Sequence, residues 1–251
     1  MKKKVLLCLM LVLLASAVLC GFTACGKPRI NPEEFVDFDY EIRGKAVVIT
    51  KYNGNDTAVI IPNGTTIIGH NAFYRDGNLH SITIPSSVVN IEYEAFMYCG
   101  ELTSVTFLEN SKLKSIGDSA FCHCIKLENS IKSVGIIIPS SVTSIGDNAF
   151  AYCHGLELIT FYDDSKLTNI GDAAFFDCKN LGSIVIPIGV ENIGDSAFDY
   201  CNNLEVVFWA CYSTKTEEPW NKIVIGTNNE PLLIAEVYYK FINMLKYEIQ
   251  L

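Results

Sequence analysis

Apolar residues return at near-regular intervals along most of this 251-residue chain. The pair Ala-Phe occurs at Ala72-Phe73, Ala95-Phe96, Ala120-Phe121, Ala149-Phe150, Ala174-Phe175 and Ala197-Phe198, at intervals of 23, 25, 29, 25 and 23 residues. Three residues after each Phe except the first stands a Cys: Cys99, Cys124, Cys153, Cys178 and Cys201. Asp76 takes that place in the first copy. Six residues after each Phe stands a Leu, from Leu79 to Leu204. Upstream of each pair stands an Ile, from Ile68 to Ile193, and Gly follows it in all but the second copy, where Glu92 stands. Self-similarity at roughly 20–50 residues marks a repeat array, in which one unit cannot bury its own apolar face and stacked units can.

The unit reads Leu-x-x-Ile-x-Ile-Pro, a polar turn, then Val-x-x-Ile-Gly-Asp-x-Ala-Phe-x-x-Cys. Its first part alternates at the end, which suits a short strand with one buried face. Pro85, Pro139 and Pro187 sit where a strand can end without losing a ladder donor. The Gly after Ile permits a tight bend. Asp118, Asp147, Asp172 and Asp195 stand where an N-cap for one short helical turn is expected. The pattern predicts an α/β-type repeat solenoid: a leucine-rich-repeat right-handed coil with short parallel strands on one face and short helical turns or loops on the other.

These motifs closely resemble the BspA-like (Treponema-type) leucine-rich repeats of bacterial surface proteins. The resemblance extends from about residue 35 to residue 239. Phe38-Asp39-Tyr40-Glu41 to Ile61-Pro62 looks like the family's strand-rich opening module, and Thr216 to Tyr239, with Pro219-Trp220-Asn221, like its closing module. The expected organisation is a signal peptide (1–24), a lipidated N-terminus and linker (25–34), capping strands (35–62), six coils (63–208), a C-terminal cap (209–239) and a tail (240–251).

The N-terminus bears on location. Lys2, Lys3 and Lys4 precede an apolar run from Val5 to Leu19, shorter than the roughly 20 residues a bilayer-spanning helix needs. Gly21-Phe22-Thr23-Ala24-Cys25 resembles a bacterial lipobox, with Phe22 where Leu is usual. In lipoproteins the Cys is acylated and cleavage falls just before it, so the resemblance assigns lipidation to Cys25. Leu19 before Cys20 makes that residue the poorer candidate. Ordinary secretion with cleavage near Ala24, or an uncleaved anchor, are the alternatives. Removing residues 1–24 takes away three Lys and no acid, moving the net charge from −9 to −12. That balance excludes nucleic acid, whose phosphates need a basic face.

Candidate chemistry changes the picture little. The Cys column reads as small buried hydrophobes, with disulfides between coils as the alternative. Cys122-His123-Cys124 and Cys153-His154 invite a metal reading, yet register commits Cys124 and Cys153 to the core, so no metal site and no cofactor are expected. The Asp column reads as caps, with a calcium edge as the alternative. Catalytic motifs such as Gly-x-Ser-x-Gly or His-Glu-x-x-His are absent from the sequence, so no catalytic residue is assigned and an enzyme is not expected.

The outward strand positions remain. In the first two copies they are His80, Ser81, Thr83, Thr103, Ser104 and Thr106; later they include Ile137, Leu158, Val185, Val206 and Phe208. An exposed apolar patch marks contact with something. The expected protein-binding face is Ile137, Leu158, Val185, Val206 and Phe208, unless the closing module with Trp209 and Trp220, or the tail, folds over it. The expected protein is a lipid-anchored, extracytoplasmic monomer that binds an extracellular or envelope protein. Members of the resembled family are associated with binding extracellular-matrix and plasma proteins, which implies adhesion; a structural envelope role is the alternative.

Overall fold

The computed structural model describes residues 28, 30–128, 136–211 and 223–241. A 3-10 turn, Pro32–Phe35, leads into an antiparallel hairpin of β1 (Phe38–Arg43) and β2 (Ala46–Tyr52). The chain then alternates between two sides. The successive pairs are β3 (Ala58–Ile60) and β4 (Ile67–Ile68), β5 (Ser81–Ile84) and β6 (Asn90–Ile91), β7 (Ser104–Phe107) and β8 (Ser115–Ile116). They continue with β9 (Ile136–Ile138) and β10 (Ser144–Ile145), β11 (Leu158–Phe161) and β12 (Asn169–Ile170), β13 (Ser183–Ile186) and β14 (Asn192–Ile193), β15 (Val206–Cys211) and β16 (Val224–Ile225). A five-residue helix, α1 (Glu230–Ile234), and β17 (Glu236–Phe241) follow.

Even-numbered strands join β1 in one nine-stranded sheet. Odd-numbered ones form a three-stranded sheet, β3-β5-β7, and a five-stranded sheet, β9-β11-β13-β15-β17. Every pairing beyond the hairpin is parallel and in register, so Ile68, Ile91 and Ile116 align, as do Ile145, Ile170 and Ile193. The protein is therefore a solenoid of stacked coils, as the periodicity predicts. Strands line two sides instead of one. On the third side, where short helical turns were expected, the six Ala-Phe segments are turns without a helix.

The backbone bonding explains the missing helix. Along the third side, N–H groups alternate between a carbonyl three residues back and one in the next coil. Ala95 donates to Glu92 (3.3 Å), Phe96 across to Ala120 (2.8 Å), Met97 to Glu94 (3.1 Å) and Tyr98 across to Cys122 (2.9 Å). A helix would close every bond within its own coil and leave none for stacking. The pattern places two non-glycine residues per coil in left-handed backbone, for example Glu94 and Tyr98, Ser119 and His123, Asn148 and Tyr152. Each costs about 1–2 kcal/mol. The inter-coil bonds, worth about 1 kcal/mol each, and the ring packing beneath them offset that strain.

The core is a set of columns. Phe73, Phe96, Phe121, Phe150, Phe175 and Phe198 stack face to face, with centroid spacings of 4.9, 4.9, 5.2, 5.5 and 5.2 Å. At the N-terminal end Tyr52 stacks on Phe73 at 5.2 Å, and Phe38 packs against both rings. At the other end the repeat motif returns in degraded form as Ile225-Gly226-Thr227-Asn228-Asn229. Asn228 takes the left-handed position at φ 57°. Asn229 stands where Ala is usual, and its Oδ1 accepts the Phe198 amide at 3.0 Å, replacing the carbonyl a further coil would supply.

The Asp column is not a set of helix caps. Asp118 Oδ1 accepts the amide of Asp147 at 3.0 Å, Asp147 that of Asp172 at 2.9 Å, and Asp172 that of Asp195 at 2.9 Å. Asp195 accepts from Thr227 at 2.6 Å. These carboxylates tie coil to coil. The preceding glycines have ordinary φ, so bending is not their reason. A Cβ on Gly171 would stand 2.7 Å from the Asp147 nitrogen and closer still to its Oδ1. Gly171→Ala is thus expected to destabilise the protein by about 2 kcal/mol in urea unfolding, as forced overpacking does. Gly77→Ala, with nothing within 4 Å of the added carbon, is expected to stay within about 0.5 kcal/mol of the parent.

Candidate protein-binding surfaces

The five apolar residues expected to form one face fall in two columns of the five-stranded sheet. Leu158, Ser183 and Val206 align in one. Ile137, Thr160, Val185 and Phe208 lie in the other. Inward-pointing Ile159, Ile184 and Val207 run between them and are fully buried. Ile137 is 36% exposed, whereas Val185 is only 9% exposed. Leu158, Val206 and Phe208 are half-buried. Thr160 and Phe208 both have interaction partners. Ile137 is therefore the most exposed of the five and Val185 the least. Cys25, the expected lipidation site, lies outside the described residues, as do Trp220 and the tail beyond Phe241.

The turn side carries a surface that the sequence reading missed. The second residue after each Phe is Arg75, Tyr98, His123, Tyr152, Asp177 and Tyr200. All six have left-handed φ, between 56° and 63°. Because the coils are in register, three of these side chains, Tyr98, His123 and Tyr152, stack as the Phe column does. His123 lies between Tyr98 and Tyr152, at 4.7 and 4.3 Å, within 12° and 4° of parallel. Tyr74, Phe176 and Tyr200 extend the stripe through edge and tilted contacts. Arg75 lies over Tyr74 and Tyr98, 5.2 and 5.1 Å from their centroids. The signal was present as a tyrosine-rich position of the repeat, but positions without a fixed residue type read as spacers.

Charges on this side largely pair off. Lys126 donates to both oxygens of Glu101, at 2.8 and 2.7 Å. His154 lies 2.9 Å from Asp177, and Lys179 lies 3.3 Å from the same oxygen. His123 is held below the ordinary histidine range, first by burial and then by the charge His154 can carry; Asp177 opposes the shift.

The cysteine column is built of free, buried thiols. Each Sγ–H donates to a Phe carbonyl one coil back: Cys99 to Phe73 at 3.0 Å, Cys124 to Phe96 at 3.2 Å, Cys153 to Phe121 at 3.2 Å. Cys178 and Cys201 repeat the bond at 3.1 Å. That carbonyl already takes the amide three residues on in its own coil, as Phe73 does from Asp76 at 3.1 Å and Phe96 from Cys99 at 3.2 Å. The thiol therefore fills its second lone pair, a reason for Cys over Ala that small size alone does not give. Burial pushes Cys99 up to about 12, raises Cys124, Cys153 and Cys178 as well, and lifts Cys122, beside the column, to about 11, away from nucleophilic thiolate. Among the described residues no three His, Cys, Asp or Glu side chains gather as metal ligands.

In-register parallel strands, inward Leu and Ile columns and a repeat of about 25 residues define a leucine-rich-repeat solenoid. A family model of the BspA type leucine rich repeat region matches residues 51–135 and 128–218, in six copies, and the chain belongs to that family. No curated protein matches the chain. Among solved structures, the leucine rich repeat protein TpLRR of T. pallidum is 29% identical, with a TM-score of 0.62, over 72% of this chain and 86% of that one. The pneumococcal vaccine antigen PcpA is 26% identical, with a TM-score of 0.55, over 65% of this chain and 46% of that one.

The half-buried imidazole gives the stripe a pH signature. Since His123 binds its proton less readily folded than unfolded, the unfolded chain takes up more protons below the ordinary value of 6.5. Stability contributed by neutral His123 is complete above that value and is lost as pH falls toward the depressed one. His123→Phe keeps a ring between the tyrosines and removes the proton site. Melting curves from about pH 7.5 to 5 should show a smaller loss of Tm for this variant than for the parent. Equal losses would contradict the placement of His123.

Proposed function

We propose that this protein is a surface lipoprotein, held to a membrane by acyl chains on Cys25, whose solenoid recognises another protein and serves adhesion or host-protein binding. The observation that carries the recognition reading is the turn-side stripe. Tyr74, Tyr98, Tyr152, Phe176, Tyr200 and Arg75 lie along one side of a rigid scaffold. Interface cores are likewise enriched in aromatic residues and Arg. Stacked tyrosines also bring large contact area with little side-chain freedom left to lose.

The lipoprotein reading rests on the basic residues, the short apolar run and Ala24-Cys25. Acyl chains contribute about 0.8 kcal/mol per buried CH2, so a multiply acylated Cys anchors stably. Family membership supports an extracytoplasmic place. So does the likeness to PcpA, a vaccine antigen. A second surface is the strand side around Ile137 and Leu158, favoured by the exposure of Ile137.

One cell-based comparison tests both parts. Cells expressing the parent, Cys25→Ser, Tyr98→Ser/Tyr152→Ser or Leu158→Glu are fractionated and assayed for capture of labelled matrix and plasma proteins. Cys25→Ser is expected to leave the membrane fraction. The tyrosine pair is expected to lose at least tenfold in capture, the size of a two-residue aromatic hot spot. Loss confined to Leu158→Glu would move the site to the strand side. Capture unaffected by every surface variant would overturn recognition.

A further inference from the structure

Arg75 differs from the other turn-side cations. Lys126 is paired with Glu101, and Lys179 and His154 share Asp177. Arg75 has no carboxylate within ion-pair distance among the described residues. Its neighbour Asp76 spends Oδ1 on the amides of Asn78 and Leu79, at 2.9 and 3.2 Å. The Arg75 guanidinium instead lies over both Tyr74 and Tyr98, 5.2 and 5.1 Å from their centroids, in the corner the two rings make by meeting edge to face at 5.9 Å and 87°. Its backbone is fixed as well: φ is 57°, and its amide donates to Met97 at 2.9 Å.

A guanidinium braced by rings keeps its fork of N–H donors at the edge, where they match the two oxygens of a carboxylate. Bracing also removes part of the ordering cost that a free Arg side chain would bring to binding. We propose that Arg75, braced by Tyr74 and Tyr98, anchors a carboxylate of the protein partner, an Asp or Glu within a segment whose apolar neighbours lie along Tyr98, His123 and Tyr152. The proposal rests on the turn side being the recognition surface and names the chemistry that surface selects. It also makes an unusual demand. The chain is acidic, at −9, and its bulk field disfavours acidic partners. At physiological salt that field fades within about 8 Å, so the braced guanidinium sets the local preference.

The test uses two capped octapeptides that differ at one residue, Glu or Gln, each flanked by Leu and Tyr. Each is titrated to millimolar concentration into the purified full chain and followed by NMR at the Arg75 Nε–Hε and the Tyr98 ring. The Glu peptide is expected to shift both signals and to bind roughly tenfold more tightly than the Gln peptide, the worth of a charge-assisted bidentate contact. Arg75→Lys keeps the charge without the fork and should lose most of that preference; Arg75→Gln should lose all of it. Equal binding of the two peptides, a preference that survives Arg75→Gln, or no shift with either peptide overturns the anchor. If the tyrosine pair still abolishes capture in that event, the turn side stands and only its acidic partner falls. Capture indifferent to the tyrosines together with a silent titration overturns both.

Discussion

Everything in this fold depends on one constraint: each coil must lie in register on the next. The constraint is imposed by backbone groups that cannot be satisfied within a coil. On the turn side every second amide points to the following coil, Phe96 to Ala120 and Phe121 to Ala149, both at 2.8 Å. Buried amides left unpaired would cost about 1–3 kcal/mol each, so sliding or separating two coils is expensive even before any side chain is considered. The left-handed residues, the lack of helix in the six Ala-Phe segments and the close approach of Gly146 and Gly171 to the Asp column all follow from keeping those amides aimed across.

Register turns positions of the repeat into columns. A residue type at one position in the sequence becomes a line on the molecule, with members about 4.8 Å apart. Inside, the lines are Phe, Leu, Ile and the hydrogen-bonded thiols. Outside, they are the carboxylates that bind the next coil's amides and the tyrosine-rich stripe. This is how the scaffold presents an extended surface. The same rule works at the ends, where Tyr52 and Asn229 complete columns that have no further coil to meet.

What could be read from the sequence follows from the same logic. Ala-Phe, the Cys and Leu at fixed offsets and the Ile before Gly are inward, so their spacing is strict and gave the solenoid, its six strong copies and its buried Cys column. Family resemblance was legible in the same residues. Other features were not. The two-residue strands such as Asn90–Ile91 are too short to show alternation, so the second strand side was hidden. Asp followed by small residues looks alike whether it caps a helix or accepts an amide from the next coil, because the difference lies in a neighbour some 25 residues away. Glu230 stands where Phe marks a repeat, so the degraded last turn falls within the segment expected as a C-terminal cap. The stripe was missed because its position varies in type, and only stacking makes Arg75, Tyr98, His123 and Tyr152 neighbours. The strand-side positions can be named from the alternation, but their division into two columns depends on register between coils.

Native-state hydrogen exchange of the turn-side amides tests the account most directly. The amides of Phe96, Phe121 and Phe150 should exchange as slowly as those of the strand residues Ile116 and Ile145, with free energies of opening near that of global unfolding. Exchange of these amides at the rate of the exposed turn around Gly77, while the strands stay protected, would show that the turn side does not hold the coils together.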